Sequence, residues 1–167
     1  LSFDHKRWDE ANSVCEMLSW LKLTHRDAYT AFVPALHCFL IANCERVLHL
    51  LPQKASRLGL VYARAWQVGV ISKEELYHQN YYVEGAAFFF DYAKDDTDLQ
   101  EMKRIIAEIP ELADLSLDEA KDLLKSAAYL ADKAMMFPLL KGGVWRWRAS
   151  CDDLLDADLL RQFISSS

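Results

Sequence analysis

Glycine and proline are scarce in this 167-residue sequence, which has five and four of them, and its four cysteines follow no regular spacing. An all-β protein needs many turns, and these two turn-forming residues are too few to supply them. Cys15, Cys38, Cys44 and Cys151 match neither a metal-binding motif nor a disulfide framework. We therefore predict reduced thiols and a cytoplasmic location, with a core large enough to need no metal or disulfide.

The sequence also lacks an excess of positive charge and a long apolar run free of polar residues. Lys and Arg number 19 against 25 Asp and Glu, which gives a net charge of -6. This balance argues against binding to a nucleic-acid backbone and favours basic protein partners. The most apolar stretch, residues 31–51, includes Glu45 and Arg46, which a membrane-spanning helix would tolerate poorly. We expect neither nucleic acid nor membrane as a partner.

Helix signals fill the chain. Ser72 and Ser116 each begin a Ser-x-x-Glu capping box, and apolar residues follow both at steps of three and four. No segment alternates with period two for long enough to form a strand. These features predict an all-α fold: a single helical bundle of about six to eight helices, forming one domain over residues 1–167. Besides those two, helices are expected over residues 4–21, 34–51, 53–68, 98–108 and 152–164, with Gly69 as a left-handed cap.

Apolar stripes along these helices predict which side chains are buried. In the helix over residues 53–68, the stripe comprises Leu58, Val61, Tyr62, Ala65 and Trp66. The whole core is expected to include Trp20, Leu36, Leu40, Val47, Trp66, Leu76, Phe88, Leu124 and Leu130.

No catalytic signature is present. The five histidines form neither an HxxxH nor an HExxH motif. Cys44 is the only thiol close to a positive charge, but it has no identifiable partner histidine and is better explained as a buried core residue. Paired carboxylates such as Asp95 and Asp96 lie at expected helix starts, where capping explains them. We predict that the protein is not an enzyme and has no catalytic residue, metal or cofactor.

The first candidate binding surface is the stretch from Asp95 to Glu119, where nine acidic residues stand against Lys103 and Arg104. This stretch is either a solvated corner whose acids cap helices, or a docking face that attracts a basic protein through its electric field. The candidate partner-binding residues here are Asp95, Asp96, Asp98, Glu101, Glu108, Glu111 and Asp114.

The second candidate surface follows the Gly142-Gly143 pair. Trp and Arg are the residue types most enriched at binding hot spots, and two of each occur in this segment. Anchoring of the terminal helix by the tryptophans explains the segment equally well, and stacking on nucleic acid would need a basic groove that the charge does not promise. The candidate residues are Trp145, Arg146, Trp147 and Arg148.

Three phrases within residues 38–93 form a recognisable pattern: CERVL at residues 44–48, ARAW at residues 63–66 followed by Gly69, and Ile71-Ser72 opening a helix. This pattern resembles the small all-helical immunity proteins of bacterial toxin systems. Tyr81, Tyr82 and residues 88–90 stand where that family has mostly Ala. The resemblance implies a cytoplasmic protein that neutralises a cognate toxin by binding it, and it transfers no catalytic residue.

Two other classes of protein remain open. An intracellular helical adaptor or regulator of another protein would use an acidic face in the same way. A small-ligand or metal-binding helical enzyme is the less favoured alternative, and it would require a polar internal pocket or a bound metal.

Overall fold

The computed structural model describes residues 5–140 and 154–165, with side chains for residues 8–140 and 154–164. All regular structure in these ranges is helical, which confirms the predicted all-α class. The α-helices of the described chain are α1 (His5–Glu10), α2 (Val14–Thr24), α3 (Arg26–Ala31), α4 (Val33–Arg46), α5 (Lys54–Gln67), α6 (Lys73–Tyr92), α7 (Asp96–Ala107), α8 (Leu117–Met136) and α9 (Ala157–Ser165).

Both predicted capping boxes are confirmed. The Ser72 hydroxyl accepts the Glu75 N–H at 3.1 Å, and the Glu75 carboxylate accepts the Ser72 N–H at 2.7 Å. Ser116 and Glu119 make the same pair of bonds at 3.3 and 2.9 Å, and these bonds fix where α6 and α8 begin. Gly69 has a φ of 71°, as expected for the left-handed residue after α5.

The N-terminal part contains more and shorter helices than predicted. Residues 11–13 interrupt the helix expected over residues 4–21, and the Ser13 hydroxyl starts α2 by accepting a backbone N–H of its first turn at 3.2 Å. The six residues of α3 carry no apolar period from which that helix could be predicted. The next helix stops at Arg46 instead of residue 51, because the chain tightens into a 3-10 turn at Leu48–Leu50.

At the centre of the bundle, α8 packs against α4, α5 and α6. The axes of α5, α6 and α8 come close at Gly59, where an added Cβ would lie 2.5 Å from Val83 Cγ2 and 3.3 Å from Met135 Cγ. The inward side of α5 is therefore narrow and includes Ser56 and Ala63, which are both buried.

This close packing makes the predicted orientation of α5 wrong. Leu58 and Val61 are exposed, and Tyr62, Ala65 and Trp66 are only partly buried. Tyr62 and Trp66 still pack at the edge of the core, but Leu58 and Val61 face outward, because the small residues on the opposite side are the ones that fit against two neighbouring helices. Hydrophobic periodicity takes account of side-chain polarity but not of the space between helices. It therefore predicts the wrong side of α5 to be buried.

The predicted core is mostly confirmed elsewhere. Leu36, Leu40, Leu76, Leu124 and Leu130 are buried, and Trp20, Val47 and Trp66 are half-buried at the edge of the core. Phe88 is the error, because α6 places Val83, Ala87 and Phe90 in the core and leaves Phe88 on the outside.

A buried histidine joins α4 to α8. His37 Nε2 lies 2.9 Å from the Ala134 carbonyl oxygen, and its ring stacks on Phe137 with the centroids 6.2 Å apart. Burial lowers the pKa of His37 to about 4, so the ring is neutral near pH 7. Because a carbonyl oxygen can only accept, Nε2 carries the proton and donates it to this bond.

The C-terminal end of α4 anchors two other helices. Glu45 accepts two hydrogen bonds from the Arg64 guanidinium of α5, at 2.9 and 2.6 Å. Arg46 pairs with Asp156 at 2.8 Å, and the Asp156 N–H donates to Asn43 Oδ1 at 3.0 Å. These contacts fix α5 against α4 and attach the chain segment before α9 to α4.

Candidate protein-binding surfaces

The acidic corner, as we name residues 95–119, comprises α7, the 3-10 turn at Pro110–Leu112 and the first residues of α8. It is well ordered by its own contacts: Ile109 and Leu112 are buried, and consecutive backbone hydrogen bonds of 3.0 to 3.1 Å run through the turn. The carboxylates that it carries are therefore held on a packed support. Those on exposed residues are Asp95, Asp96, Glu101, Glu108, Glu111, Asp114, Asp118 and Glu119, and Asp98 is half-buried.

Four of the nine acids have local structural roles. The Asp95 carboxylate starts α7 by accepting the Asp98 N–H at 2.8 Å, and Glu119 belongs to the capping box of α8. Glu101 and Glu108 both pair with the guanidinium of Arg104. Hydrogen bonds from Arg104 lower the pKa of Glu101, and those from Ser116 lower the pKa of Glu119. The interpretation of the stretch as a solvated, self-capping corner is correct for these four.

The other five carboxylates make no such contact, although Asp96, Asp98 and Asp118 lie in the first turns of α7 and α8, where they suit the positive end of the helix dipole. Within the described residues, no cation or hydrogen-bond donor pairs with the side chains of Asp96, Asp98, Glu111, Asp114 and Asp118. The rest of the sequence, outside the acidic corner, has 17 Lys and Arg against 16 Asp and Glu. The net negative charge of the chain is therefore concentrated in the acidic corner, and more than half of its acids there are not neutralised by contact.

A cleft of about 470 Å³ opens beside the acidic corner, between the start of α5 and the end of α7. Its lining combines Glu108 and Glu111 with His49 and Arg57. Because both signs of charge are present, the cleft alone does not select a basic ligand.

The second predicted surface, Trp145 to Arg148, lies outside the described residues. Neither the binding role nor the anchoring role of Trp145, Arg146, Trp147 and Arg148 is tested by the structure.

A surface that the periodicity argument missed lies on α6. Tyr77, Tyr81, Tyr82, Phe88 and Tyr92 expose 69, 73, 51, 38 and 69% of their area, and we name these five residues the aromatic face. Between Tyr77 and Tyr92 the remaining exposed positions are His78 and Gly85, so none of the exposed positions is charged. Large aromatic side chains at steps of four, seven and four, at Tyr77, Tyr81, Phe88 and Tyr92, are the signal that could have identified this second stripe.

Ring contacts hold the aromatic face together. Tyr81 and Tyr82 pack edge-on with centroids 5.7 Å apart, and Phe88 packs in the same way on Tyr92 at 6.0 Å and on Tyr129 at 6.3 Å. The Tyr129 hydroxyl donates to Asp91, and this carboxylate also pairs with Lys125. Hydrogen bonds from Lys125 and then Tyr129 lower the pKa of Asp91, which stays ionised and fixes the C-terminal end of the face against α8.

Other kinds of site find less support in the residues that are described. Within residues 5–140 and 154–165, no three side chains that ligate metals converge. None of the helices in these ranges combines the length and apolar character that crossing a membrane requires. Cys15, Cys38 and Cys44 form no disulfide among the described residues, and Cys151 falls outside these ranges.

Comparison with known proteins finds no matching family model, no matching curated protein and no matching solved structure. The resemblance to immunity proteins therefore rests on the sequence phrases alone and stays a hypothesis.

Proposed function

We propose that the protein acts by stoichiometric binding and neutralises a bacterial toxin, with the acidic corner as its docking face. The observation that carries this proposal is the concentration of the net negative charge in residues 95–119, where five carboxylates have no partner among the residues that the structure describes. Such a surface attracts a basic protein over a distance and needs to break no internal ion pair when it binds.

The inhibition requires no catalytic residue on this chain. Glu111 and Asp114 project from the short connection between two capped helices, so a partner meets carboxylates that are already positioned. Little conformational entropy is lost when such a face docks over the cleft of a basic toxin, for example a nuclease.

The phrases behind the resemblance support a shared architecture. Glu45 of the first phrase and Arg64 of the second form the ion pair between α4 and α5. Because these residues serve packing, the docking face must be sought in other parts of the chain, and the acidic corner meets that requirement.

Co-expression with the product of the neighbouring gene tests the proposal. The native protein is expected to restore growth if that product is a toxin, and the variant Glu111→Lys with Asp114→Lys is expected to restore it poorly. A matched control, Asp9→Lys with Asp27→Lys, makes the same change in net charge on α1 and α3 and should restore growth fully.

Direct binding completes the test. Association of the native pair should slow as salt rises, because exposed charges are screened beyond about 8 Å at physiological ionic strength. If the control weakens binding as much as the Glu111 and Asp114 variant does, the acidic corner is not the docking face. If the neighbouring product is harmless and does not bind, toxin neutralisation is wrong, and an adaptor for another protein becomes the better hypothesis.

A further inference from the structure

The aromatic face of α6 has no role in the binding just proposed, and no part of the described chain covers it. The exposed fractions of its five side chains add up to about three complete aromatic side chains. At roughly 200 Å² for each, the face presents about 600 Å² of uncharged surface. A patch of that size is at the upper end of what a soluble monomer exposes, and such patches are often binding sites.

We propose that a second copy of this chain covers the aromatic face, with the two α6 helices packed antiparallel about a two-fold axis at Gly85. The pattern of the face is nearly symmetric about this glycine: Tyr81 lies four residues before it and Phe88 three after, while Tyr77 lies eight before and Tyr92 seven after. A two-fold axis at Gly85 places Tyr81 of each copy against Phe88 of the other, and Tyr77 against Tyr92. An interface of this kind must complement itself, and this spacing does.

Gly85 suits the point where the helices cross. An added Cβ at Gly85 would have no heavy atom within 4 Å, so the helix surface is open there. The missing side chain lets the two backbones approach between the flanking rings, since the distance between packed helices depends on the side chains at the contact.

The charge distribution is also compatible with a second copy in the antiparallel arrangement. The exposed positions of the aromatic face carry no charge, and the nearest carboxylate, Glu84, is half-buried, so two copies of an acidic chain can meet here with little repulsion between like charges. A parallel pair would place Asp95 and Asp96 of the two copies together. The antiparallel pair instead brings these acids toward the N-terminal end of the partner helix, where the helix dipole is positive and Lys73 stands beside Glu74 and Glu75.

The area is sufficient for a reversible dimer. Two aromatic faces bury at most about 1,200 Å² in total, which is the lower end of the range for specific protein complexes. We therefore expect association at micromolar concentrations.

Sedimentation equilibrium of the purified protein across micromolar concentrations tests the dimer. The variant Tyr77→Glu with Tyr81→Glu should raise the dimer dissociation constant by about ten-fold or more, because exposed aromatic anchors dominate such interfaces. The control Val61→Glu with Val68→Glu adds the same charge on the outward side of α5, and its dissociation constant should equal that of the native protein. A native protein that stays monomeric overturns the proposal, as does loss of the dimer in the control alone.

Cysteine cross-linking tests the position of the axis. In a Cys38→Ser, Cys151→Ser background, Gly85→Cys should form a disulfide between copies on mild oxidation. Tyr77→Cys alone should not, because its two copies lie about 24 Å apart along antiparallel helices, beyond the reach of a disulfide. Cross-linking at Tyr77 without cross-linking at Gly85 would falsify the antiparallel arrangement.

If the native protein is monomeric and the Tyr77, Tyr81 variant loses toxin neutralisation, the occupant of the face is the toxin and not a second copy.

Discussion

The aromatic face and the acidic corner are consecutive along the chain, yet they are built from opposite chemistry. None of the exposed positions between Tyr77 and Tyr92 carries a charge, whereas residues 95–119 hold the whole net negative charge. Charge acts across several ångströms of solvent and mainly governs how fast partners meet, while aromatic area acts only on contact and mainly governs how long they stay together. The two surfaces are therefore suited to different partners: a basic protein for the acidic corner, and an uncharged surface for the aromatic face.

The aromatic face can serve as a binding surface only if it is not part of the monomer core. Phe90 and Tyr81 lie on opposite sides of α6, and Phe90 is fully buried. Phe90→Asp should lower the free energy of unfolding by more than about 4 kcal/mol, since it removes a core ring and buries a charge. Tyr81→Asp should change it by no more than about 0.5 kcal/mol. Urea unfolding at a protein concentration that keeps the chain monomeric measures both values, and equal losses would mean that Tyr81 is packed.

Acid sensitivity distinguishes the core from the acidic corner. His37 has a pKa of about 4 in the folded protein and about 6.5 when unfolded, so the unfolded state takes up a proton first as the pH falls. Between pH 6.5 and 4, this should remove about 3 kcal/mol of stability. The lowered pKa values of Glu101 and Glu119 affect stability only at lower pH, near and below 4.5.

Asp132 changes the unfolding free energy in the opposite direction over the same pH interval. The contribution of His37 can therefore be measured only in a variant that lacks the Asp132 carboxylate. Burial and the nearby Glu84 raise the pKa of Asp132 to about 6, so the folded state gains a proton there before the unfolded state does. The unfolding free energy of Asp132→Asn should fall from pH 6.5 to 4, and that of Asp132→Asn with His37→Gln should stay level. A fall of the same size in the double variant would trace the acid sensitivity to another group.

The sequence predicts the fold better than it predicts the surfaces, and α6 shows why. The capping box at Ser72 depends on neighbours three residues apart, so local sequence determines it fully. Which side of the helix is buried depends on α5 and α8, and both sides of α6 carry large apolar residues. Phe88 is misplaced for this reason, and Leu58 and Val61 of α5 are misplaced because Gly59 determines how closely the helices approach. The charge of the acidic corner is visible in sequence, but which carboxylates Arg104 neutralises is not.

Substitutions at Gly59 and Gly85 should have opposite effects on stability, because Gly59 lies in a packed region and Gly85 on an open surface. Gly59→Ala should destabilise the protein by about 1–3 kcal/mol, because the new Cβ would overlap Val83. Gly85→Ala should stabilise the monomer by about 0.5–1 kcal/mol, since alanine favours a helix and the space is open. Denaturant unfolding of both variants, again below the concentration of dimer formation, checks the opposite signs. Destabilisation by Gly85→Ala in the monomer would place unrecognised packing on the aromatic face.

The smallest expected effect separates the two kinds of acid in the acidic corner. Glu101→Lys with Glu108→Lys should lower the melting temperature slightly, because Arg104 loses both partners and gains two like charges one turn away. Glu111→Lys with Asp114→Lys changes the net charge by the same amount and should leave the melting temperature unchanged or slightly higher, since it relieves repulsion and breaks no ion pair. Circular dichroism during heating measures both.

The rates at which the same two variants bind the partner show whether the position of the carboxylates or only the total charge matters. If the overall field alone guides the partner, both pairs of substitutions slow association equally, because both raise the net charge of the chain by four. If the unpaired carboxylates contact the partner, the Glu111 and Asp114 variant also dissociates faster, and it does so from a fold that has lost no stability. A variant at Glu101 and Glu108 that dissociates faster still would mean that the partner competes with Arg104 for these acids, and the docking face would then centre on α7 instead of the turn that follows it.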